Sequence, residues 1–145
     1  MEHAVLTGEY ELAIDEKGRI LIPSDVRKVI NADRDGSAFF LTITAQRRPV
    51  LYPEKYFERL VAEKQQALAL DANADEVMFD QRYFALAARV EMDGQGRILV
   101  PAKTLRRTNT GREITLVGMR NRLEIWNRAD WEAQVEVLMQ AGKPI

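Results

Sequence analysis

Asp15-Glu16-Lys17-Gly18-Arg19-Ile20-Leu21-Ile22-Pro23 returns 78 residues later (93 − 15) as Asp93-Gly94-Gln95-Gly96-Arg97-Ile98-Leu99-Val100-Pro101. The same offset joins Gly18 to Gly96, Arg19 to Arg97 and Pro23 to Pro101. Agreement in residue type and spacing over such a stretch marks two copies of one unit. In the first copy the alternating Tyr10, Leu12 and Ile14 lead in, and Ile20-Leu21-Ile22 lead out. Alternation on both sides of a three-residue break predicts strand, turn, strand. Glu16-Lys17-Gly18, with glycine last, suits a type I turn followed by a left-handed residue. Asp15 stands where a carboxylate accepts turn N–H groups. Pro23 lacks a ladder donor and ends the strand.

Working outward, Ser24 is placed to cap a short helix with Val26, Val29 and Ile30 on one face. Residues 31–36 read as a polar break. Phe39, Phe40, Leu41 and Ile43 predict a strand, paired with Val50-Leu51-Tyr52 across Arg47-Arg48-Pro49. A helix from Pro53-Glu54 to about Leu70 carries Phe57, Leu60, Val61, Lys64 and Leu68 on one stripe. Asn73 and Glu76 have capping-box spacing before a helix that turns Val77, Met78 and Phe84 inward. In the second copy Ile114-Thr115-Leu116-Val117 and Leu123-Glu124-Ile125-Trp126 mirror the later strand pair. Trp126 answers Tyr52 and Trp131 answers Phe57 at an offset of 74 (126 − 52, 131 − 57), four fewer than 78. A closing helix sets Trp131, Val135, Leu138 and Met139 on one face. Short hairpin units leave edges that need partners. The simplest solution is that the copies interdigitate.

The 145 residues suffice for one core or two small ones. With no cysteine, disulfides, zinc–thiolate sites and cysteine nucleophiles are excluded. The single histidine, His3, near the terminus argues against a histidine-based active site. No apolar run is long enough to span a membrane, and Met1-Glu2-His3-Ala4-Val5 does not read as a secretion signal. Twenty-one basic and 22 acidic residues give a net charge of −1, so any polyanion must be met by a local patch.

The paired Asp-X-X-X-Arg stretches resemble the AbrB-like swapped-hairpin family. Two copies in one chain, with Val50-Leu51-Tyr52-Pro53, Leu116-Val117-Gly118 and Leu123-Glu124-Ile125-Trp126, resemble the MraZ family within it. The resemblance implies an α+β, mainly β fold: a pseudo-two-fold barrel of two AbrB-like ββαββ repeats. The first repeat would span 5–70, a helical connector 71–86, and the second repeat with the closing helix 87–140. It further implies a cytoplasmic, nucleoid-associated transcriptional regulator of the division and cell-wall operon. Such a regulator binds double-stranded DNA at direct repeats, as a homo-oligomeric ring, with no cofactor and no membrane. The DNA-contacting residues would be Lys17, Gly18, Arg19, Gln95, Gly96 and Arg97, with Asp15 and Asp93 stabilising the turns. A guanidinium can grip phosphate or the guanine edge bidentately. Gln95 replaces Lys17 in the second turn, so that tip is expected to carry less charge. Arg27, Lys28, Arg106 and Arg107 read as a solvated flank. Arg47-Arg48 and Arg120–Arg122 lie on other turns, and Tyr52, Trp126 and Trp131 read as core or subunit-interface anchors.

An enzyme and a protein-masking module are the alternatives. Two aspartate turns in a symmetric fold resemble an aspartic-protease dyad. Glu16-Lys17 and Gly94-Gln95 do not follow its Asp-Thr-Gly pattern, and the arginine four residues on would hold each carboxylate ionised.

Overall fold

The structure, a computed structural model, describes residues 3–63 and 68–142. The chain runs β1 (Glu9–Ala13), β2 (Arg19–Leu21), α1 (Ser24–Val29), α2 (Ala32–Asp35), β3 (Ala38–Ile43), β4 (Pro49–Pro53) and α3 (Glu54–Glu63). It continues through α4 (Ala74–Asp80), one π-helical turn (Gln81–Ala85), β5 (Ala88–Glu91), β6 (Arg97–Leu99), α5 (Ala102–Arg107), β7 (Glu113–Gly118), β8 (Leu123–Asn127) and α6 (Arg128–Ala141).

Six strands form one antiparallel sheet in the order β1-β7-β8-β4-β3-β5, and β2 pairs with β6 in a separate ribbon. Exchanging each strand for its counterpart in the other copy reverses the sheet order onto itself. Interdigitation is therefore real and goes further than a hairpin reading allows. The two arms of each predicted hairpin do not lie side by side. β1 takes five partners on β7, from Glu9↔Val117 to Ala13↔Glu113, while β2 crosses to β6. The crossing sets Ile20 opposite Ile98, 0% and 1% exposed, at the centre of the ribbon. Burying each such side chain contributes about 1.5–3 kcal/mol. The expected barrel does not close. The sheet ends at β1 and β5, because the chain leaves each of them for the turn that feeds the ribbon.

The main core joins Ile14, Ile20, Ile22 and Val26 to Phe39, Leu41, Ile98, Ile114 and Leu123. A second cluster packs Val50, Tyr52 and Phe57 against Phe40, Tyr83 and Phe84. The π-helical turn places Tyr83 there, stacked on Phe57 at 5.6 Å, while the Thr42 hydroxyl donates to the carbonyls of Arg82 and Tyr83 (3.2 and 2.9 Å). Burial pushes the Tyr83 phenol well above its usual range.

Several local expectations change. Ser24 is already the first helical residue, one position too late to cap; Pro23 occupies the cap site. Val29 is exposed. The polar break contains α2, capped by the Asn31 side chain accepting from the Arg34 N–H at 3.0 Å. Asn73 does accept from the Glu76 N–H at 2.9 Å. Met78 points outward at 58% exposed, because the inward positions go to the ring stack of Tyr83 and Phe84. Lys64 lies outside the described residues, and Leu68 is 39% exposed beyond α3. On α6, Trp131 and Val135 are half-buried but Leu138 and Met139 are exposed.

Candidate nucleic-acid interface

Each turn is built by its aspartate. The Asp15 N–H donates to the Arg19 carbonyl (3.0 Å), and the Gly18 N–H donates to the Asp15 carbonyl (3.0 Å). One carboxylate oxygen of Asp15 accepts the N–H groups of Lys17 and Arg19 (2.9 and 2.8 Å). The other takes the Arg19 Nε at 2.8 Å. Asp93 repeats the pattern with the N–H groups of Gln95 and Arg97 (both 2.9 Å) and with the Arg97 Nε at 2.9 Å. The backbone N–H of Arg19, followed by its side chain and the Lys17 N–H, holds the Asp15 carboxyl below its ordinary value. The N–H of Arg97, then that of Gln95 and the Arg97 side chain, does the same for Asp93. Stabilising the anion with N–H donors is what lowers a carboxyl pKa. Both turns close through a glycine at positive φ, +86° at Gly18 and +83° at Gly96, where side chains are strained.

The ribbon locks the turns together. The Ile22 N–H donates to the Gly96 carbonyl (2.8 Å), and the Val100 N–H donates to the Gly18 carbonyl (2.9 Å). Opposed residues on an antiparallel pair share a face, and alternate residues return to it. The register Arg19↔Leu99, Ile20↔Ile98, Leu21↔Arg97 therefore buries the isoleucines on one face. It leaves Arg19, Leu21, Arg97 and Leu99 together on the other. Both arginine side chains are 30% exposed, and each uses only Nε on its aspartate, so the outer guanidinium nitrogens remain for a further anion. The two predicted arginines are thus brought onto one ribbon face, with exposed Lys17 and Gln95 in the flanking turns.

Two features escaped the sequence. Arg27 leaves α1 of the first copy and lies on the turn of the second. Its Nε donates to the Ile22 carbonyl at 2.9 Å, and a Cβ on Gly96 would fall 2.7 Å from its Nη1. Among the described residues no carboxylate pairs with it. The second tip, expected to carry less charge, thus gains a cation from the other copy. Tip two combines Asp93 with Arg97 and Arg27, while tip one combines Asp15 and Glu16 with Lys17 and Arg19 and has Arg112 beside it, whose Nε donates to the Ile14 carbonyl (3.4 Å). The second feature is the exposure of Leu21 and Leu99, 48% and 54%, between the arginines. Strand alternation from Ile20 and Ile22 already placed Leu21 beside Arg19. Three arginines of the other turns are engaged elsewhere. Arg47 donates to the Arg107 carbonyl (2.8 Å), Arg48 lies 3.3 Å over the Trp126 ring, and Arg122 approaches Glu124 (3.7 Å).

A strand-swapped ribbon carrying two aspartate-ordered arginines on one outer face defines a class of small, two-copy proteins. The matches to known proteins sharpen it. The family model described as "MraZ protein, putative antitoxin-like" matches residues 5–81 and 83–143. A protein of Neisseria meningitidis serogroup A named "Transcriptional regulator MraZ" is 35% identical over 130 residues, covering 88% of this chain and 83% of that protein. Proteins of the same name from Pediococcus pentosaceus (37% over 129 residues, 89% and 85% covered) and Clostridium tetani (34% over 125 residues, 86% and 83%) also match. The chain belongs to the MraZ family.

Proposed function

We propose that this chain is a DNA-binding transcriptional regulator, not an enzyme, acting on the operon for cell division and cell-wall synthesis. It is a cytoplasmic, nucleoid-associated protein. It binds direct repeats upstream of the promoter through its Asp-X-X-X-Arg turns, displayed by a ring of identical subunits. Residues 5–70 and 87–140 are the two AbrB-like units, related by a pseudo-two-fold, and 71–86 connect them. The observation that supports this most is the shared outer face of Arg19 and Arg97, each guanidinium oriented before any ligand arrives. Lys17 and Gln95 would touch backbone or base edges beside them, while Gly18 and Gly96 let the turn approach closely. The regulatory name of the relatives agrees.

With ~2–4 phosphates neutralised per subunit, affinity is modest and falls steeply with salt. A ring supplies the missing strength, since later subunits bind at high effective concentration once the first is seated. Arg19→Ala should abolish the gel shift of a direct-repeat duplex, and Arg97→Ala should damage it severely. Mass by light scattering should stay unchanged in both. Binding by Arg19→Ala at moderate salt would overturn the reading.

A further inference from the structure

Leu21 and Leu99 are unexplained by the fold. Leucine gains nothing from standing half in water on a three-residue strand, where β-branched or polar residues serve better. Isolated exposed leucines need no account. These two are counterparts in the repeated motif, 48% and 54% exposed, and each lies directly opposite one of the exposed arginines in the ribbon register. The result is an apolar diagonal crossed by a cationic one. Diagonal neighbours on such a pair lie roughly 7–8 Å apart. That is about two base steps at ~3.4 Å per nucleotide of one strand. A two-stranded ribbon is one of the shapes the major groove admits, and the thymine C5-methyl is the apolar group displayed there.

We propose that Leu21 and Leu99 read thymine, packing on C5-methyl groups in the major groove while Arg19 and Arg97 hold phosphate or guanine on either side. This rests on the DNA-binding function proposed above. Because the two leucines come from antiparallel strands, they address two positions within one site, one for each copy of the motif. A second copy of this chain is the other conceivable cover for the leucines. It is disfavoured because docking there would also bury the two arginines, whose only ion-pair partners among the described residues are the aspartates of their own turns.

The test uses a direct-repeat duplex that the full chain binds, and the same duplex with every thymine replaced by deoxyuridine, which removes only the methyl groups. Fluorescence anisotropy should show the wild type losing about four-fold in affinity for each methyl it buries. Leu21→Ala/Leu99→Ala should bind both duplexes alike, at the weaker level, with an unchanged melting temperature and unchanged mass. Equal binding of the two duplexes by the wild type overturns the proposal and leaves the DNA-binding function standing. So does a double variant that still prefers thymine, or one that loses assembly while the wild type ignores the methyl groups. A wild type that binds no duplex, or binding that Arg19→Ala leaves intact, overturns the function itself and this reading with it.

Discussion

The two turns have one skeleton and two different settings. In both, an aspartate collects two backbone N–H groups and its own arginine, and a glycine at positive φ closes the loop. Around Gly96 the space is filled by Arg27, and the glycine is buried. The residue equivalent to Arg27 in the second copy is Leu105 (27 + 78). It does not cover Gly18. A groove of about 430 Å³ opens there instead, walled in part by Ile14, Lys17, Val100, Leu105 and Arg112. The hydrogen-bonded loop is thus fixed by residues inside the motif, while its charge and shape are set by what the other copy contributes. The two copies share the first and differ in the second.

The largest expected effect tests the covered tip against the open one. Gly18→Ala and Gly96→Ala both force a side chain into the left-handed region, at a cost of roughly 1–2 kcal/mol each. At Gly18 the new Cβ meets the Val100 carbonyl oxygen at 3.0 Å, a tight contact with backbone. At Gly96 it meets Arg27 at 2.7–2.9 Å, so the arginine must move. A double-mutant cycle separates these terms. Combined with Arg27→Ala, Gly96→Ala should cost less than it does alone, whereas Gly18→Ala should cost the same with or without Arg27. Urea denaturation midpoints provide the measurement. Additivity at Gly96 would mean that Arg27 does not press on the turn in solution.

A smaller effect follows from exchanging the two settings. Arg27→Leu gives the second tip the dressing of the first; Leu105→Arg does the reverse and would fill the groove beside Gly18. If each arginine meets one phosphate, the salt dependence of duplex binding should fall by about 0.9 in the first variant and rise by about 0.9 in the second. The slope of log affinity against log salt checks this. Equal slopes in all three proteins would show that the difference between the tips is structural and has no consequence for an anion.

The turns themselves were legible from sequence because their chemistry is local. Asp15, Gly18 and Arg19 interact within five residues, and no distant partner can alter what a glycine at that position permits. Strand pairing was legible only in outline. Ile20 fits equally well against its own hairpin arm or against Ile98, since an apolar alternation specifies a face and not a partner. That choice is settled by the whole core. Arg27 was hidden for the same reason: helical periodicity assigns it to the solvent side of Val26, and only the strand exchange carries the other copy's turn into its reach. The exposed leucines were within reach of a period-two reading that looked outward as well as inward. Met78 failed because adjacent helical residues point about 100° apart, and on α4 it is Val77 that takes the half-buried position while Met78 faces outward.

The smallest difference between the tips should appear in acid, and there it should vanish. Asp15 and Asp93 each have a carboxyl held below the ordinary 3.8, chiefly by the arginine N–H four residues on. A carboxylate with a depressed folded pKa stabilises the turn at every pH above its unfolded value, and loses that contribution as pH falls through the folded one. Duplex binding should therefore be flat across about pH 5 to 8, where neither group changes charge. Carboxyl-carbon NMR should place both midpoints below 3.8, with Arg19 and Arg97 amide shifts moving in step. Because the donors are the same in kind at both sites, Lys17 against Gln95 and Arg19 against Arg97, the two curves should nearly superimpose. A midpoint at or above 3.8 in either turn would mean that its aspartate is not collecting those N–H groups, and the skeleton common to the two tips would be lost.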